Sequence, residues 1–134
     1  MKVVEIMETD VRTVTIDTPV SEVVVSLADA QVTGLPVVDS GNKVIGVVSS
    51  TDVIAAQAET RDAEERRILL EETAVRDIMT TKPLMIESTA ELQEAARHML
   101  YAEVRRLFVE EMGVLVGVIS QTDIVRAVAT GKIA

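Results

Sequence analysis

A serine, a threonine and an aspartate follow a glycine at the same spacing in two places. The first copy, Gly46 to Val53, reads Gly-Val-Val-Ser-Ser-Thr-Asp-Val, and the second, Gly117 to Ile124, reads Gly-Val-Ile-Ser-Gln-Thr-Asp-Ile. A carboxylate can accept two hydrogen bonds from a ribose diol, and hydroxyls can donate to phosphate oxygens. A helix that begins in the motif adds free N–H groups that favour a phosphate. The candidate binding groups are Ser49, Thr51 and Asp52 in the first copy and Ser120, Thr122 and Asp123 in the second.

These groups suit binding better than catalysis, because no histidine or lysine lies nearby in sequence to act as a base or to position a nucleophile. A simpler interpretation stays open: Ser49 and Thr51 cap a helix, and Asp52 interacts favourably with its dipole. Capping alone, however, does not require the same eight-residue pattern twice. The duplication is the reason to keep the binding hypothesis beside the structural one.

The duplication extends over the whole chain, which predicts two copies of one unit. Leu35 to Asp39 aligns with Arg106 to Glu110 at the same offset as the motif, whereas Val3 to Met7 aligns with Val75 to Met79 at an offset one residue larger. This alignment predicts that one residue is lost before the first shared strand. We divide the chain into residues 1–72, with a connecting helix, and residues 73–134. Units of this size have marginal cores, so we expect the halves to share one hydrophobic interior.

Periodicity predicts the elements of the first copy. Residues 13–16 alternate as a half-buried strand, and Thr18 is a candidate N-cap for a helix with Pro19 at its first position. A hairpin follows. The next helix should begin at about Thr51, capped by Ser50 or Thr51, and continue to Glu72.

The second copy repeats this order. A strand is expected around residues 84–86, and Ser88 to Glu91 has the pattern of a capping box. A hairpin again leads to a helix, which should begin near Thr122 and end before Gly131 as the C′ residue.

Composition excludes several classes of function. With 48% apolar and 26% charged residues, the chain is too hydrophobic for disorder, and no apolar run approaches a membrane span. The amino terminus lacks the basic and apolar regions of a signal peptide, so a cytoplasmic location is expected. The net charge of -9 disfavours nucleic acids and anionic membranes. With no cysteine and the single histidine His98, a protein metal site is disfavoured, although Mg²⁺ arriving with a phosphate ligand stays open.

Taken together, the paired order of short helix, strand, helix, hairpin, Gly-x-x-Ser-x-Thr-Asp motif and closing helix resembles a tandem of cystathionine-beta-synthase (CBS) domains, also called a Bateman module. The resemblance covers essentially the whole chain and both motif copies. It implies a mixed α/β (α+β) fold of two pseudo-symmetric repeats, each β-α-β-β-α, packed through their small sheets. It also implies that clefts between the repeats bind adenosine-type ligands such as AMP, ADP, ATP or S-adenosylmethionine, and that two modules form a disc-shaped homodimer.

Carried onto this sequence, the resemblance puts each motif aspartate on a ribose and adds three groups of residues to the site. The loops before the hairpins contribute Val32 and Thr33 in one copy and Val104 and Arg105 in the other. The segments that flank the base correspond here to Ile6 and Met7 and to Ile78 and Met79, together with Pro83. Arg105 or Arg106 is the candidate for phosphate, because arginine can bind it by a two-pronged contact. At the offset of the motif these arginines align with Gly34 and Leu35, which predicts one phosphate-competent cleft and one weaker cleft.

The resulting hypothesis is a stand-alone regulatory module, not an enzyme and without a catalytic cofactor, that binds an adenine nucleotide and signals to a separately encoded partner protein. Two alternatives stay open: a structural dimerisation module with empty clefts, and a sensor of S-adenosylmethionine. An enzymatic function such as nucleotide hydrolysis is disfavoured for want of a general base or a metal cluster.

Overall fold

The first short helix of each sequence repeat belongs to the other half of the fold. The computed structural model describes residues 1–131, and these form two units. Unit 1 consists of Met1–Val11 together with the chain from Leu84 onward, and unit 2 consists of Arg12–Pro83. Each unit is therefore assembled from one sequence repeat and the opening segment of the other. The architecture is mixed α+β with two small sheets and five α-helices among the described residues.

Unit 2 is built around an antiparallel hairpin. Its elements are α1 (Val20–Ala30), β1 (Gly34–Val38), β2 (Val44–Ser49), α2 (Ser50–Ala58), α3 (Ala63–Glu72) and a 3-10 helix, Val75–Asp77. The strand predicted at residues 13–16 is reduced to a single parallel bridge between Val14 and Val37, in which the Val14 N–H donates to Pro36 O at 3.1 Å. Val14 is buried, so the alternating pattern correctly identified its inward face but not the short length of the pairing.

Unit 1 has a complete three-stranded sheet. Its elements are a 3-10 helix (Val3–Glu5), β3 (Met85–Glu87), α4 (Leu92–Ala102), β4 (Arg106–Glu111), β5 (Val114–Ser120) and α5 (Gln121–Ala129). Strand β3 pairs parallel to β4, which pairs antiparallel to β5. Because parallel strands need a crossover connection, α4 lies between β3 and β4 in the chain. Among the described residues no helix has the length and apolarity needed to span a membrane.

Each unit has its own buried cluster, where the sequence analysis expected one shared interior. The unit 1 cluster includes Val3 from the amino-terminal 3-10 helix, and the unit 2 cluster includes Val75 from the second 3-10 helix. Both valines are fully buried. The exchange of short helices therefore supplies each small core with an apolar side chain from the other repeat.

Backbone pairing holds the exchanged segments in place. Glu8 and Val118 exchange two N–H···O bonds of 2.9 Å, and Thr80 and Val47 do the same. The motif glycine stands next to each of these contacts. A Cβ on Gly117 would lie 2.7 Å from Glu8 O, closer than real Cβ atoms approach a backbone oxygen. The glycine is thus required for the close approach of another backbone.

The N-caps predicted at Thr18 and Ser88 are wrong because local or tertiary hydrogen bonds occupy the side chains. Helix α1 begins at Val20 with Pro19 at the N-cap, and Thr18 Oγ1 instead accepts the N–H of Thr15 at 3.0 Å. Ser88 is buried, and its hydroxyl donates to Glu111 Oε1 at 2.9 Å. Helix α4 consequently begins three residues later than a cap at Ser88 would place it, without a side-chain cap.

The predicted connecting helix is interrupted. Helix α2 ends at Ala58, and α3 begins after Asp62, whose Oδ1 accepts the N–H of Glu65 at 2.9 Å. Thr60 closes the end of α2, because its N–H and its hydroxyl both donate to Gln57 O, at 3.1 and 2.7 Å. At the end of α5 the predicted C′ glycine is confirmed, since Gly131 has φ of 73°.

The strand register shows that the one-residue difference in length between the repeats lies at another place than the sequence alignment predicted. Gly34 pairs with Ser49, and Arg106 pairs with Ser120. The first hairpin strands are therefore related by the larger offset, and the second copy loses its residue in the hairpin turn, not before the strand. A deletion inside a strand would turn every later side chain to the opposite face, whereas a turn absorbs it. As a result, Arg106 corresponds to Gly34 and Arg105 to Thr33, which corrects the alignment above.

Candidate functional site

The first motif forms the start of α2. Ser49 is the N-cap: its Oγ accepts the N–H of Asp52 at 3.2 Å, while Asp52 Oδ2 accepts the Ser49 N–H at 2.8 Å and the Ser49 hydroxyl at 3.0 Å. The capping interpretation is thus confirmed for Ser49 and Asp52. The predicted caps Ser50 and Thr51 are wrong, because the helix begins at Ser50, one residue before the predicted start, and Thr51 is exposed in its first turn.

The second motif has the same geometry at the start of α5. Ser120 Oγ accepts the Asp123 N–H at 3.1 Å, and Asp123 Oδ2 accepts the Ser120 N–H at 2.9 Å. The helix begins at Gln121, and Thr122 is exposed like its counterpart in the first copy. Because both repeats close the same pair of bonds, capping accounts for part of the duplicated pattern.

Capping uses one oxygen of each aspartate. The bonds to Asp52 and to Asp123 described above all end on Oδ2, while Asp123 Oδ1 lies 3.6 Å from Arg126 Nη1. Asp123 is buried to 6% exposure, whereas Asp52 is half-buried. The second oxygen of each carboxylate is the one that a ligand hydroxyl would use. Helix capping and ligand binding are therefore compatible in the same side chain.

The loops before the hairpins adjoin the two helix starts. Thr33 O accepts the Ser50 N–H at 2.9 Å, and Arg105 O accepts the Gln121 N–H at 2.9 Å. Val104 O also accepts the Gln121 side-chain amide at 3.2 Å. These bonds bring the predicted loop residues Thr33, Val104 and Arg105 next to the motifs. Val32 packs against the apolar core of unit 2, as Val104 packs against that of unit 1.

The same bonds limit how well the amino-terminal ends of α2 and α5 can bind an anion. In each helix the first N–H is donated to a loop carbonyl and the third to the serine cap, which leaves the N–H of Thr51 or Thr122 between them. An anion at a helix amino terminus depends on such free N–H groups. Binding of a phosphate mainly by the helix start is thus disfavoured. A phosphate at this place would need a positively charged side chain as well.

Unit 1 brings residues of both sequence repeats to one cavity of about 260 Å³. Ile6 and Met7 come from the exchanged amino-terminal segment, and Asp123 comes from α5. The lining residues are Glu5, Ile6, Met7, Asp123, Arg126, Ala127 and Thr130. Met7 also faces the motif glycine, since its Sδ lies 2.7 Å from the position of a Cβ on Gly117.

In unit 2 the corresponding segment lies against the first motif strand. Met79 Sδ is 3.1 Å from the position of a Cβ on Gly46, and Ile78 and Met79 pack against the unit 2 core together with Val53 of α2. At the motif offset, Arg126 of the second copy corresponds to Ala55. This half of the fold therefore has the carboxylate and the aliphatic side chains but no arginine on the motif helix.

The remaining predicted residues lie outside the lining of the unit 1 cavity. Pro83 is half-buried at the end of unit 2. Arg105 is exposed, Arg106 is half-buried, and neither forms an ion pair with a described residue. His98 lines a different, largely apolar cavity of about 390 Å³ beside α4. Within residues 1–131 no group of three acidic or histidine side chains is arranged to hold a metal ion.

Arg126, the one basic residue that lines the unit 1 cavity, was not among the residues predicted from the sequence. A signal was present, because residues three apart share a face of a helix and Arg126 follows Asp123 by three. Glu5, Ala127 and Thr130 were also missed. Their place in the cavity depends on the exchanged segment, for which the sequence has no local signal.

Comparison with known proteins agrees with this arrangement. The CBS domain family model matches residues 3–59 and 75–130. The chain is 30% identical to the chloroplastic CBS domain-containing protein CBSX1 of Arabidopsis thaliana, over 88% of this chain and 59% of that protein. It is also 30% identical to inosine-5'-monophosphate dehydrogenase of Methanocaldococcus jannaschii, over 91% of this chain but only 22% of the enzyme. The chain thus spans little more than half of the plant relative.

A solved structure extends the likeness to three dimensions. The crystal structure of CBSX2 in complex with AMP superposes with a TM-score of 0.82 at 31% identity, covering 98% of both chains. The sequence match to CBSX2 of Arabidopsis thaliana covers 55% of that protein. With both repeats matched by the family model, this chain belongs to the CBS domain family and is a tandem pair of CBS repeats.

Proposed function

We propose that this chain is a regulatory module that binds an adenine nucleotide in the unit 1 cavity. The observation that carries the proposal is the meeting of Ile6, Met7 and Asp123 in one cavity, although they come from opposite ends of the chain. Aliphatic walls and a carboxylate are the groups that a nucleoside requires. The AMP-bound relative at 31% identity supports the same ligand class.

In the proposed complex the ribose hydroxyls donate to Asp123 Oδ1, the oxygen that capping leaves available. The adenine lies against Ile6, Met7 and Ala127, which offer apolar surface without an aromatic ring. The cavity of about 260 Å³ is close to the lower limit of small-molecule sites, about 300 Å³. A mononucleotide is therefore favoured over ATP. Arg105 and Arg106 lie outside the cavity lining, so their assignment to the phosphate stays a prediction from the sequence.

Unit 2 is proposed as a second, weaker site. Asp52 would receive the ribose there, and Ile78 and Met79 would flank the base, with Thr33 and Ser49 nearby. The absence of an arginine equivalent to Arg105 or Arg106 in the first copy disfavours phosphate in this half. The two sites should consequently differ in affinity for the same nucleotide.

The signal would pass through contacts with other proteins. Ligand binding affects a partner only if the partner prefers one of two conformations. Several exposed apolar side chains on α1, α2, α4 and α5 are available for such contacts, and they support a homodimer as proposed from the resemblance: Val25, Ile54, Leu100, Val125 and Val128. A cytoplasmic location remains a prediction.

Isothermal titration of the purified chain with AMP, ADP, ATP, adenosine and S-adenosylmethionine tests the proposal. We expect AMP to bind, and its affinity to fall in Asp123→Asn more than in Asp52→Asn. Addition of Mg²⁺ to the ATP titration tests whether the metal accompanies the longer phosphate chain. If S-adenosylmethionine binds and AMP does not, the S-adenosylmethionine alternative replaces the nucleotide sensor.

A structural dimerisation module is the second candidate. The observation that favours it is the capping geometry, because Ser49, Asp52, Ser120 and Asp123 all have a role without any ligand. If none of the five ligands gives a binding signal at millimolar concentration and analytical ultracentrifugation shows a dimer, this candidate is established and the sensor is rejected.

A further inference from the structure

Arg126 and Asp123 form an ion pair across one turn of α5, and both line the unit 1 cavity. Their closest atoms, Arg126 Nη1 and Asp123 Oδ1, are 3.6 Å apart. The two side chains differ in exposure, since the aspartate is 5% exposed and the arginine 66%. The carboxylate is therefore held by its surroundings, whereas the guanidinium can leave it and stay in water.

The oxygen that Arg126 approaches is also the oxygen proposed for the ribose. Oδ2 of Asp123 is already bonded to the Ser120 N–H. A ribose diol that binds Asp123 would compete with Arg126 for Oδ1. The ribose hydroxyls would take the place of the guanidinium at Oδ1, so the buried carboxylate keeps a partner when the ion pair is broken. The released guanidinium remains beside the cavity, within reach of a substituent on the sugar.

The charges around the cavity indicate what the released arginine would bind. The lining contains two carboxylates, Glu5 and Asp123, and the single cation Arg126. The Glu5 Oε2 already accepts the Lys2 N–H at 2.6 Å, which keeps this carboxylate at the cavity wall. A phosphate would meet net negative charge without Arg126. The helix start offers little compensation, because only the Thr122 N–H remains between two occupied donors.

We propose that Arg126 is a specificity-determining residue, which exchanges its ion pair with Asp123 for the phosphate of the bound nucleotide. This inference rests on the proposed nucleotide function of the same cavity. Binding of the ribose frees the guanidinium, and a two-pronged contact with phosphate then stabilises AMP but not adenosine. The corresponding residue of the first copy is Ala55, so unit 2 lacks this selection.

Titration of AMP and adenosine into the intact chain and into Arg126→Ala tests the inference. Wild type should bind AMP about tenfold or more tightly than adenosine, the gain from one charge-assisted contact. In Arg126→Ala the AMP affinity should fall by about the same factor, while adenosine binds equally well or better because its competitor for Asp123 is gone. Arg126→Lys should restore part of the preference, since it keeps the charge without the fork.

The matched control is Arg66→Ala, which removes one positive charge from an exposed position on α3 and should leave both affinities unchanged. A wild-type preference for AMP that persists in Arg126→Ala would overturn the inference and leave the nucleotide function standing. Equal binding of AMP and adenosine by wild type would overturn it as well. If wild type binds neither compound, the proposed function fails and the inference fails with it.

Discussion

Replacement of Asp123 by asparagine and by alanine separates its two roles. The carboxylate accepts the Ser120 N–H at 2.9 Å through Oδ2 and faces Arg126 through Oδ1. Asparagine keeps one oxygen for the Ser120 N–H but cannot attract a ribose diol as an anion does. Alanine removes both functions. Any difference in stability between the variants therefore reports capping, while a shared loss of affinity reports the charge.

The structure sets the size of each effect. In Asp123→Ala a half-buried N–H loses its acceptor, which costs about 1–3 kcal/mol. Loss of the favourable interaction with the helix dipole adds about 0.3–1 kcal/mol, and the exposed ion pair with Arg126 about 0.3–0.5 kcal/mol. We expect the free energy of unfolding to fall by about 2–4 kcal/mol in Asp123→Ala and by only about 1 kcal/mol in Asp123→Asn, where the acceptor remains. Nucleotide affinity should fall about tenfold or more in both.

Urea unfolding gives the stabilities, and calorimetric titration with AMP gives the affinities. Asp62→Ala is the control for loss of a capping carboxylate, because Asp62 is the N-cap of α3 and accepts the Glu65 N–H but does not line the unit 1 cavity. It should lower stability by about 0.5–2 kcal/mol and leave AMP affinity unchanged. If Asp123→Asn binds AMP as tightly as wild type while Asp123→Ala does not, the carboxylate acts only as a cap and its assignment to the ribose is wrong.

Three further predictions address the fold. Gly117→Ala should lower the free energy of unfolding by about 1–3 kcal/mol, because its Cβ would lie 2.7 Å from a backbone oxygen, whereas Gly41→Ala, with 3.5 Å to its nearest atom, should be nearly neutral in the same urea experiment. Equal effects would show that the exchanged segment does not contact the motif. Burial raises the pKa of the Glu110 carboxyl, and the carboxylate of Glu87 raises it further. A raised pKa means that the protonated form stabilises the fold and that this contribution is lost as pH rises through the folded pKa, so Glu110→Gln should stabilise the chain at about pH 7 and the gain should shrink towards about pH 4. A gain that does not change with pH would contradict the assignment. Val3→Ala should destabilise unit 1 by about 2 kcal/mol in thermal unfolding, because this fully buried side chain completes its core, and a change below about 0.5 kcal/mol would argue that the amino-terminal segment is not docked.

Local patterns predicted most of the elements but not all of their ends. The hairpins, the helices and the C′ role of Gly131 follow from periodicity and turn residues, which act over a few positions. The cap assigned to Ser88 failed because its hydroxyl is bonded to Glu111, which is distant in sequence. Thr18 failed for a local reason, since a competing bond to Thr15 occupies its side chain. A residue of the capping type is thus not sufficient to cap a helix, because another hydrogen-bond partner can occupy its side chain, and α1 and α4 begin without a side-chain cap.

The amino-acid sequence by itself determined the duplication, the mixed α+β class and the identity of the motif carboxylates, because each depends on residue types at fixed spacing. Only the tertiary structure decided which carboxylate meets which aliphatic segment. The exchange that brings Met7 to Asp123 depends on backbone pairing with β5 and on burial of Val3, and both are interactions between distant parts of the chain. Strand register likewise assigned Arg106 to the position of Gly34, since the pleat tolerates a missing residue in a turn but not in a strand.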